Sequence, residues 1–413
     1  MVKLVDTKDL KSLPFWECQF ESGRGHQECI MNKNSLLIIF KDKKKVTKNQ
    51  DFWNEKFSKK YNVSHFYLYD HINYTNKNIC KIINKKIIDL NISVILFEGD
   101  HMSSIDYSFI NSIDNDVKKG LFLGDDSVWH QVNLITASTC DFVLTDPVSS
   151  FKYKELGINS IFSNVEGNEN IFKDYKCKKD IDVLFFGRNK TDREDYLTIL
   201  ENNDIKYLSV NPYLEISNSI EKLAVLINRS KIVINLTKSF NGERFFNPSS
   251  KFKYGYYFKG RVIMSGLCNT LCVSEYAPSN EILYPNKELP SFKTKDEFIK
   301  IIKEYLNDNE KLTKDTRIFY ESSLKYSDKN YIETLYNFIK NTKKIEKIKL
   351  KIPIWYYYIS IKQHFRVRSK FKKVTAYMLQ FFENLNFPFY IFPINLIFFL
   401  RFLPTLMLNK IFK

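Results

Sequence analysis

The chain has 413 residues, of which 44% are hydrophobic and 15% aromatic, and a formal charge of +16. That is enough apolar material for two buried cores with a cleft between them, and it excludes a chain dominated by disorder. The charge does not imply nucleic acid. From Asn341 onward the basic residues face only Glu346 and Glu383, so the excess belongs to a tail rich in Phe, Ile and Leu while the body stays close to neutral.

Residues 1–34 are polar, contain a Ser-Gly-Arg-Gly loop and show no clean period, so they stay unassigned. The start of the chain has no apolar h-region, which predicts no secretion signal and a cytoplasmic location, in the cytosol or on the inner face of the plasma membrane. Cys18, Cys29, Cys80, Cys140, Cys177, Cys268 and Cys272 are scattered, with no Cys-x-x-Cys pair, and read as reduced thiols. Cys18, His26 and Cys29 offer three metal ligands but lack a fourth, so no metal site is expected there.

A Rossmann-like rhythm occupies 35–172. Apolar strands are predicted at Ser35 to Phe40, His65 to Tyr69, Ser93 to Phe97, Gly120 to Leu123 and Phe142 to Thr145, with helices such as Asn78 to Leu90 and Val128 to Ala137 between several of them. Alternation of this kind predicts an α/β domain with a parallel sheet covered on both faces. Ligands in such sheets sit beyond the carboxyl ends of the strands. The polar residues there are therefore the candidates: Asp70 and His71, Glu98 to His101, Asp125, Asp126 and Asp146. Asp125 or Asp126 with His101 is the expected general base, the alternative for each being a helix cap or a turn. Asp114-x-Asp116 precedes a strand instead of ending one and is not read as a metal motif.

Lys173 to Lys179 reads as a charged linker into a second Rossmann-like domain over 180–340. Its first strand, Ile181 to Phe186, ends at Gly187, with Arg188 and Arg193 nearby and a Thr191-x-x-Glu194 capping box. A glycine turn followed by a helix is either an anion site or an ordinary strand-to-helix turn. A helix from Ser219 to Asn228 leads to a strand at Ile232 to Leu236. A polar loop, the basic pair Lys259 and Arg261, a strand at Leu271 to Ser274, and Glu275 and Glu281 follow. Fixed positive charge beside strand ends suits an anionic ligand such as a diphosphate. Helices at Lys295 to Leu306, Lys311 to Ser323 and Lys329 to Lys340 are expected to finish this domain.

The stretch "NRSKIVINLTKS … YYFKGRVIMSGLCNTLCVSEYAPSNEILYP" resembles the C-terminal half of the CgeB-like glycosyltransferases. "GLFLGDDSVWHQ", "CDFVLTDPVSSFKYKELGI", "NENIF" and "DIDVLFFGRNKTDREDYL" fall in that family's order, so the resemblance spans roughly 90–340. It implies two Rossmann-like domains facing a cleft (GT-B), a nucleotide-sugar donor as substrate with no resident cofactor, and metal-independent transfer. By resemblance, Lys259 and Arg261 match the family's Lys-x-Arg and Glu281 takes the part of a sugar-contacting carboxylate, while the glycine turn puts Gly187 and Arg188 on the donor side. Two departures stand out: Met264 where the family carries Glu, and Asn269 where it carries Gly.

The tail, 341–413, places Ile361, Phe365, Phe371, Val374, Met378, Phe381 and Leu385 on one helical face, with Lys362, Arg366, Lys370 and Lys373 on another. An aromatic, proline-broken segment follows, uncharged from Asn384 to Leu400. A basic amphipathic helix before such a segment predicts a chain lying in an anionic membrane interface, with a span or a partner-docking helix as alternatives. The expected activity is transfer of a sugar to a glycan or lipid-linked acceptor. The rival is a catalytically silent glycan-binding or scaffolding module.

Overall fold

Five short apolar runs in the first half do become parallel strands, and a sixth joins them. The computed structural model describes residues 34–41, 57–71, 73–99, 105, 107–114, 116–124, 126–163, 167–187, 193–211, 220–240, 254–344, 352–370, 378, 382 and 389–400. Strands β1 (Ser35–Phe40), β2 (Asn62–Tyr67), β3 (Val94–Gly99), β4 (Lys118–Leu123), β5 (Phe142–Thr145) and β6 (Ser160–Phe162) form one sheet in the order β2-β1-β3-β4-β5-β6, and every pairing in it is parallel. Helices α1 (Asn76–Asp89), α2 (Tyr107–Asn111), α3 (Asp126–Ala137) and α4 (Pro147–Glu155) fill the crossovers. Thr75 caps α1 by accepting from the amide of Asn78.

The strand period of two sorts side chains into two layers. Leu37, Ile39, Ile95, Phe97, Leu121 and Val143 pack against α1, α2 and α4. Leu36, Ile38, Leu96, Phe122, Phe142 and Leu144 face the other way, into a core shared with the second half of the chain. With both faces buried the strands read as unbroken apolar runs, as parallel sheets do.

The second sheet is also wholly parallel. It comprises β7 (Ile181–Phe186), β8 (Tyr207–Val210), β9 (Ser230–Asn235), β12 (Leu271–Glu275) and β13 (Ser291–Phe292), in the order β13-β12-β9-β7-β8. A two-stranded antiparallel ribbon, β10 (Lys238–Phe240) with β11 (Tyr254–Tyr256), lies between β9 and β12 in the chain. The helices of this half are α5 (Arg193–Glu201), α6 (Ile220–Arg229), α7 (Arg261–Leu267), α8 (Pro278–Leu283), α9 (Lys295–Asn307), α10 (Asn309–Ser323) and α11 (Asp328–Asn341). Gly266 in α7 is required by close packing on α10, since a Cβ there would fall 2.0 Å from Ser323 Oγ.

Helix α11 does not finish the second domain as its position suggests. It crosses back to the first sheet. The Phe338 ring meets Phe142 edge-on at 6.1 Å, Tyr336 meets Tyr61 at 5.5 Å, and Tyr331 donates from its hydroxyl to Phe162 O at 2.7 Å. Lys118 of β4 donates to Ile339 O and Lys340 O, placing a cation on the carbonyl end of α11. Residues 34–413 accordingly form one compact unit.

Lys173 to Lys179 is likewise no free linker. Asn228 accepts from the Tyr175 amide and donates to Lys173 O. Asp174 accepts from Asn269 Nδ2, and Lys179 Nζ donates to Thr270 Oγ1 at 2.6 Å and Asn269 O at 3.1 Å. Burial pulls the Lys179 ammonium down from its usual range to about 8. The unfolded chain therefore binds the Lys179 proton more tightly than the folded one between pH 8 and the ordinary lysine range, so the contribution of Lys179 to stability rises with pH across that window. Urea unfolding of the wild type and Lys179→Met from pH 7.5 to 10 checks this: the difference should move in favour of the wild type as pH rises.

Candidate functional site

Each sheet reverses its strand order once, and an open parallel sheet binds ligands at that switch point, beyond the carboxyl ends of its strands. In the first sheet the reversal lies between β1 and β3, and in the second between β7 and β9. The two carboxyl edges approach one another: α4 starts beyond β5, α8 starts beyond β12, and these helices are in contact. The Phe258 ring, just before Lys259, packs edge-on against Phe162 at the end of β6, 5.3 Å between centroids.

At the β7 switch-point end the structure joins two of the expected donor-side residues. Gly187 has φ +156°, and a Cβ built on it would lie 2.8 Å from Arg261 Nη2 and 3.4 Å from Arg261 Cζ. The positive φ favours glycine, and the guanidinium of Arg261 fills the space beside it. That guanidinium also lies over the rings of Phe185 and Phe186, at 5.3 and 5.6 Å. Arg261 is thus a half-buried cation fixed by packing at the mouth of the second sheet. Lys259 is half-buried two residues earlier, its ammonium 5.8 Å from the Tyr257 ring.

A buried carboxylate organises this edge. Glu275, the last residue of β12, accepts through Oε2 from the Thr237 amide at 2.7 Å, the Thr237 hydroxyl at 3.1 Å and the Lys238 amide at 2.9 Å. Thr237 O in turn accepts from the Tyr257 amide. Glu275 is thus a buried tie, 4% exposed. It ties the end of β12 to the turn after β9, and through Tyr257 to the segment that carries Lys259 and Arg261. Asn235 Oδ1 and Ser279 Oγ, on the same edge, are buried with no hydrogen-bond partner among the described residues. Polar atoms closing apolar strands, as in Val-Ile-Asn235 and Val-Ser274-Glu275, are the signal in the sequence that marks this edge. Glu281 is exposed in the first turn of α8.

The first sheet overturns one expectation. Asp126 is not a base at an open strand end: it is wholly enclosed. It accepts from Asn133 Nδ2 at 2.7 Å, Thr145 Oγ1 at 2.9 Å and the Tyr153 hydroxyl at 3.3 Å, with His130 Nδ1 at 3.5 Å. The carboxylate therefore clamps α3, β5 and α4 together. Asp146 beside it caps α4 through the Val148 and Ser149 amides and accepts from the Ser127 amide. Burial, and then the neighbouring Asp126, raise the Asp146 carboxyl above its usual range. Asp125, His101 and Arg188 lie outside the described residues, as do Cys18, His26 and Cys29.

Neither departure from the resembled family faces the site. Met264 is 5% exposed, inside the core with Val262, Ile263 and Leu267. Asn269 follows the last turn of α7 with φ +51°, a left-handed position that glycine or asparagine commonly fills at a helix end. Its amide side chain reaches Asp174.

Residues 179–323 match the sequence profile of the family described as Glycosyl transferase-like. The similarity to that family lies in the second sheet and its helices, about a third of the chain. The match runs from just before β7 to the end of α10 and leaves the first sheet outside it. No curated protein matches the chain. Among solved structures it is similar to sucrose-phosphate synthase from Thermosynechococcus elongatus, at 8% identity over 75% of this chain and 98% of that one, TM-score 0.49. It is similar to HepE from Anabaena, solved with UDP-glucose, at 10% identity over 75% and 98%, TM-score 0.47. A glycosyltransferase from Rickettsia africae aligns at 12% identity over 76% and 100%, TM-score 0.46.

Because Met264 is core, a carboxylate at that position would be buried without a partner. Met264→Glu should destabilise the protein by about 3–5 kcal/mol, read as a drop in the urea midpoint. A variant with wild-type stability would show that the side chain reaches solvent.

Proposed function

We propose that the chain is a GT-B glycosyltransferase, of the CgeB-like kind it resembles, that moves a sugar from a nucleotide-sugar donor to a lipid-linked or cell-surface polysaccharide precursor at the inner membrane face. The observation that carries the proposal is Arg261 locked against Gly187 at the switch point of a glycosyl transferase-like sheet. Transfer breaks the bond between the anomeric carbon and the diphosphate oxygen and forms one to an acceptor hydroxyl oxygen. The electron pair leaves on the diphosphate, which needs fixed positive charge aimed at it in advance. Arg261 and Lys259 supply that charge without a metal ion in this reading. The acceptor's proton passes to a base on the first-sheet side, where Asp125 and His101 remain the candidates now that Asp126 is a buried clamp. Glu281, exposed at the start of α8, takes a sugar hydroxyl.

Met264 and Asn269 are the two features that favour a silent, non-catalytic module. Both have structural roles away from the site, one in the core and one at a helix end, so the catalytic reading is preferred.

A panel of nucleotide sugars, UDP-glucose included, is screened first by thermal stabilisation, since a donor at a hundred times its dissociation constant stabilises by about 2.7 kcal/mol. Release of free nucleoside diphosphate in the presence of acceptor extracts then reads turnover. Arg261→Ala should weaken nucleoside-diphosphate binding by about 1.5–3 kcal/mol, the usual worth of a hydrogen bond to a charged group. Lys259→Ala should weaken it as well. Unchanged affinity in both variants would overturn the donor site, and absence of turnover with every donor that binds would favour the silent module.

A further inference from the structure

Helix α12 (Ile354–Lys370) packs on the first half of the chain. Tyr356 is buried against Val132 and Ile135 of α3, and its hydroxyl meets Thr136 Oγ1 at 2.9 Å and accepts from the Tyr107 amide at 3.0 Å. Farther along, Ile361 and Phe365 form a small core with Ile391 and Phe398. The last two belong to a single helical turn, Phe389–Ile391, that runs into helix α13 over 392–400.

This last segment is inverted for a water-facing helix. It has no charged residue, and its one side-chain amide, Asn395, is buried. Its outward face is instead apolar: Phe389 is 91% exposed, Ile397 62% and Leu400 54%, with Phe392 and Leu396 beside them on the same stripe. Tyr358 of α12, partly exposed, packs its ring 4.9 Å from the inward-facing Phe398. A contiguous apolar surface of this kind marks an interaction site. At about 1.5 Å per residue, α13 is far too short for a hydrocarbon core of about 30 Å, and among the described residues no helix is long and apolar enough to cross a membrane.

We propose that the face made by Phe389, Phe392, Leu396, Ile397 and Leu400 enters the headgroup and acyl boundary of an anionic bilayer, and that α12 fixes the first sheet to the membrane through it. The charge of the tail selects the occupant. Arg366, Arg368, Lys370, Lys372 and Lys373 precede the patch in the chain and Arg401, Lys410 and Lys413 follow it, with Glu383 the sole acidic residue in that span. Apolar residues bracketed by cations suit a negatively charged lipid surface, where insertion and electrostatic attraction add. A protein partner of matching shape would not require the cations. The assignment deepens the functional reading above, because it holds the acceptor side at the lipid surface, but vesicle binding can be measured without any donor.

The test uses the full-length chain with phosphatidylcholine vesicles containing or lacking phosphatidylglycerol. Co-sedimentation should favour the anionic vesicles, and high salt should release only part of the protein, since the apolar contribution is not screened. A triple variant, Phe389→Ser with Ile397→Ser and Leu400→Ser, alters only exposed side chains and should keep the wild-type melting curve while its partition falls by at least about tenfold. Equal partition of the two proteins, or complete release of the wild type by salt, overturns the proposal. So does a concentration-dependent dimer, seen by light scattering, that the triple variant abolishes while vesicle binding stays the same, because the face would then join two copies. If no nucleotide sugar binds but the face still governs vesicle partition, the transferase reading fails and the membrane face stands.

Discussion

The return of α11 across the first sheet is the constraint on which the rest depends. A parallel β-sheet needs both faces covered, and Leu335, Phe338 and Ile339 come back from the far end of the second half to help cover one face of the first sheet. Two Rossmann-like halves that might have kept separate cores therefore share one. The shared core brings the carboxyl edges of both sheets together, where α4 meets α8 and Phe258 packs on Phe162.

Within that frame the two edges are built differently. The second sheet presents a cation, and the polar chain from Glu275 through Thr237 to Tyr257 determines where it sits. A buried carboxylate accepting three hydrogen bonds keeps its position at little cost because its lone pairs are used. The first sheet instead turns its carboxylates inward. Asp126 and Asp146 spend their acceptor capacity on helix starts and on Tyr153, so they brace the edge. Rigid support behind a site is what preorganises it.

The basic tail has a related logic. Among the described residues, its apolar side chains divide between a small internal core that locks α13 to α12, contacts with α3, and an outward stripe. The lock through Tyr356 makes the stripe part of the first half of the molecule and not a free appendage.

Much of this was legible in the sequence, and the reason is local. Apolar runs of four to six residues separated by helical periods identify parallel strands, and the order of polar residues that end them marks the binding edge. Gly187 and Arg261 stand out in the sequence in this way and the structure brings them together, and the concentration of charge in the tail is equally plain. What the chain order does not contain is which distant residues meet. Asp126 looks like an exposed strand-end acid until Tyr153 and Thr145 close over it. Met264 looks like a lost ligand carboxylate until α7 is seen to bury it, and Asn269 like a blocked approach until its left-handed backbone shows a helix end. The segment from Lys173 to Lys179 looks like a linker until Asn228 and Thr270 take up its polar groups. Strand and helix type follow from neighbours a few residues apart, whereas burial, and with it the role of every ionisable group, follows from contacts made between residues tens to hundreds of positions apart, which only the tertiary structure decides.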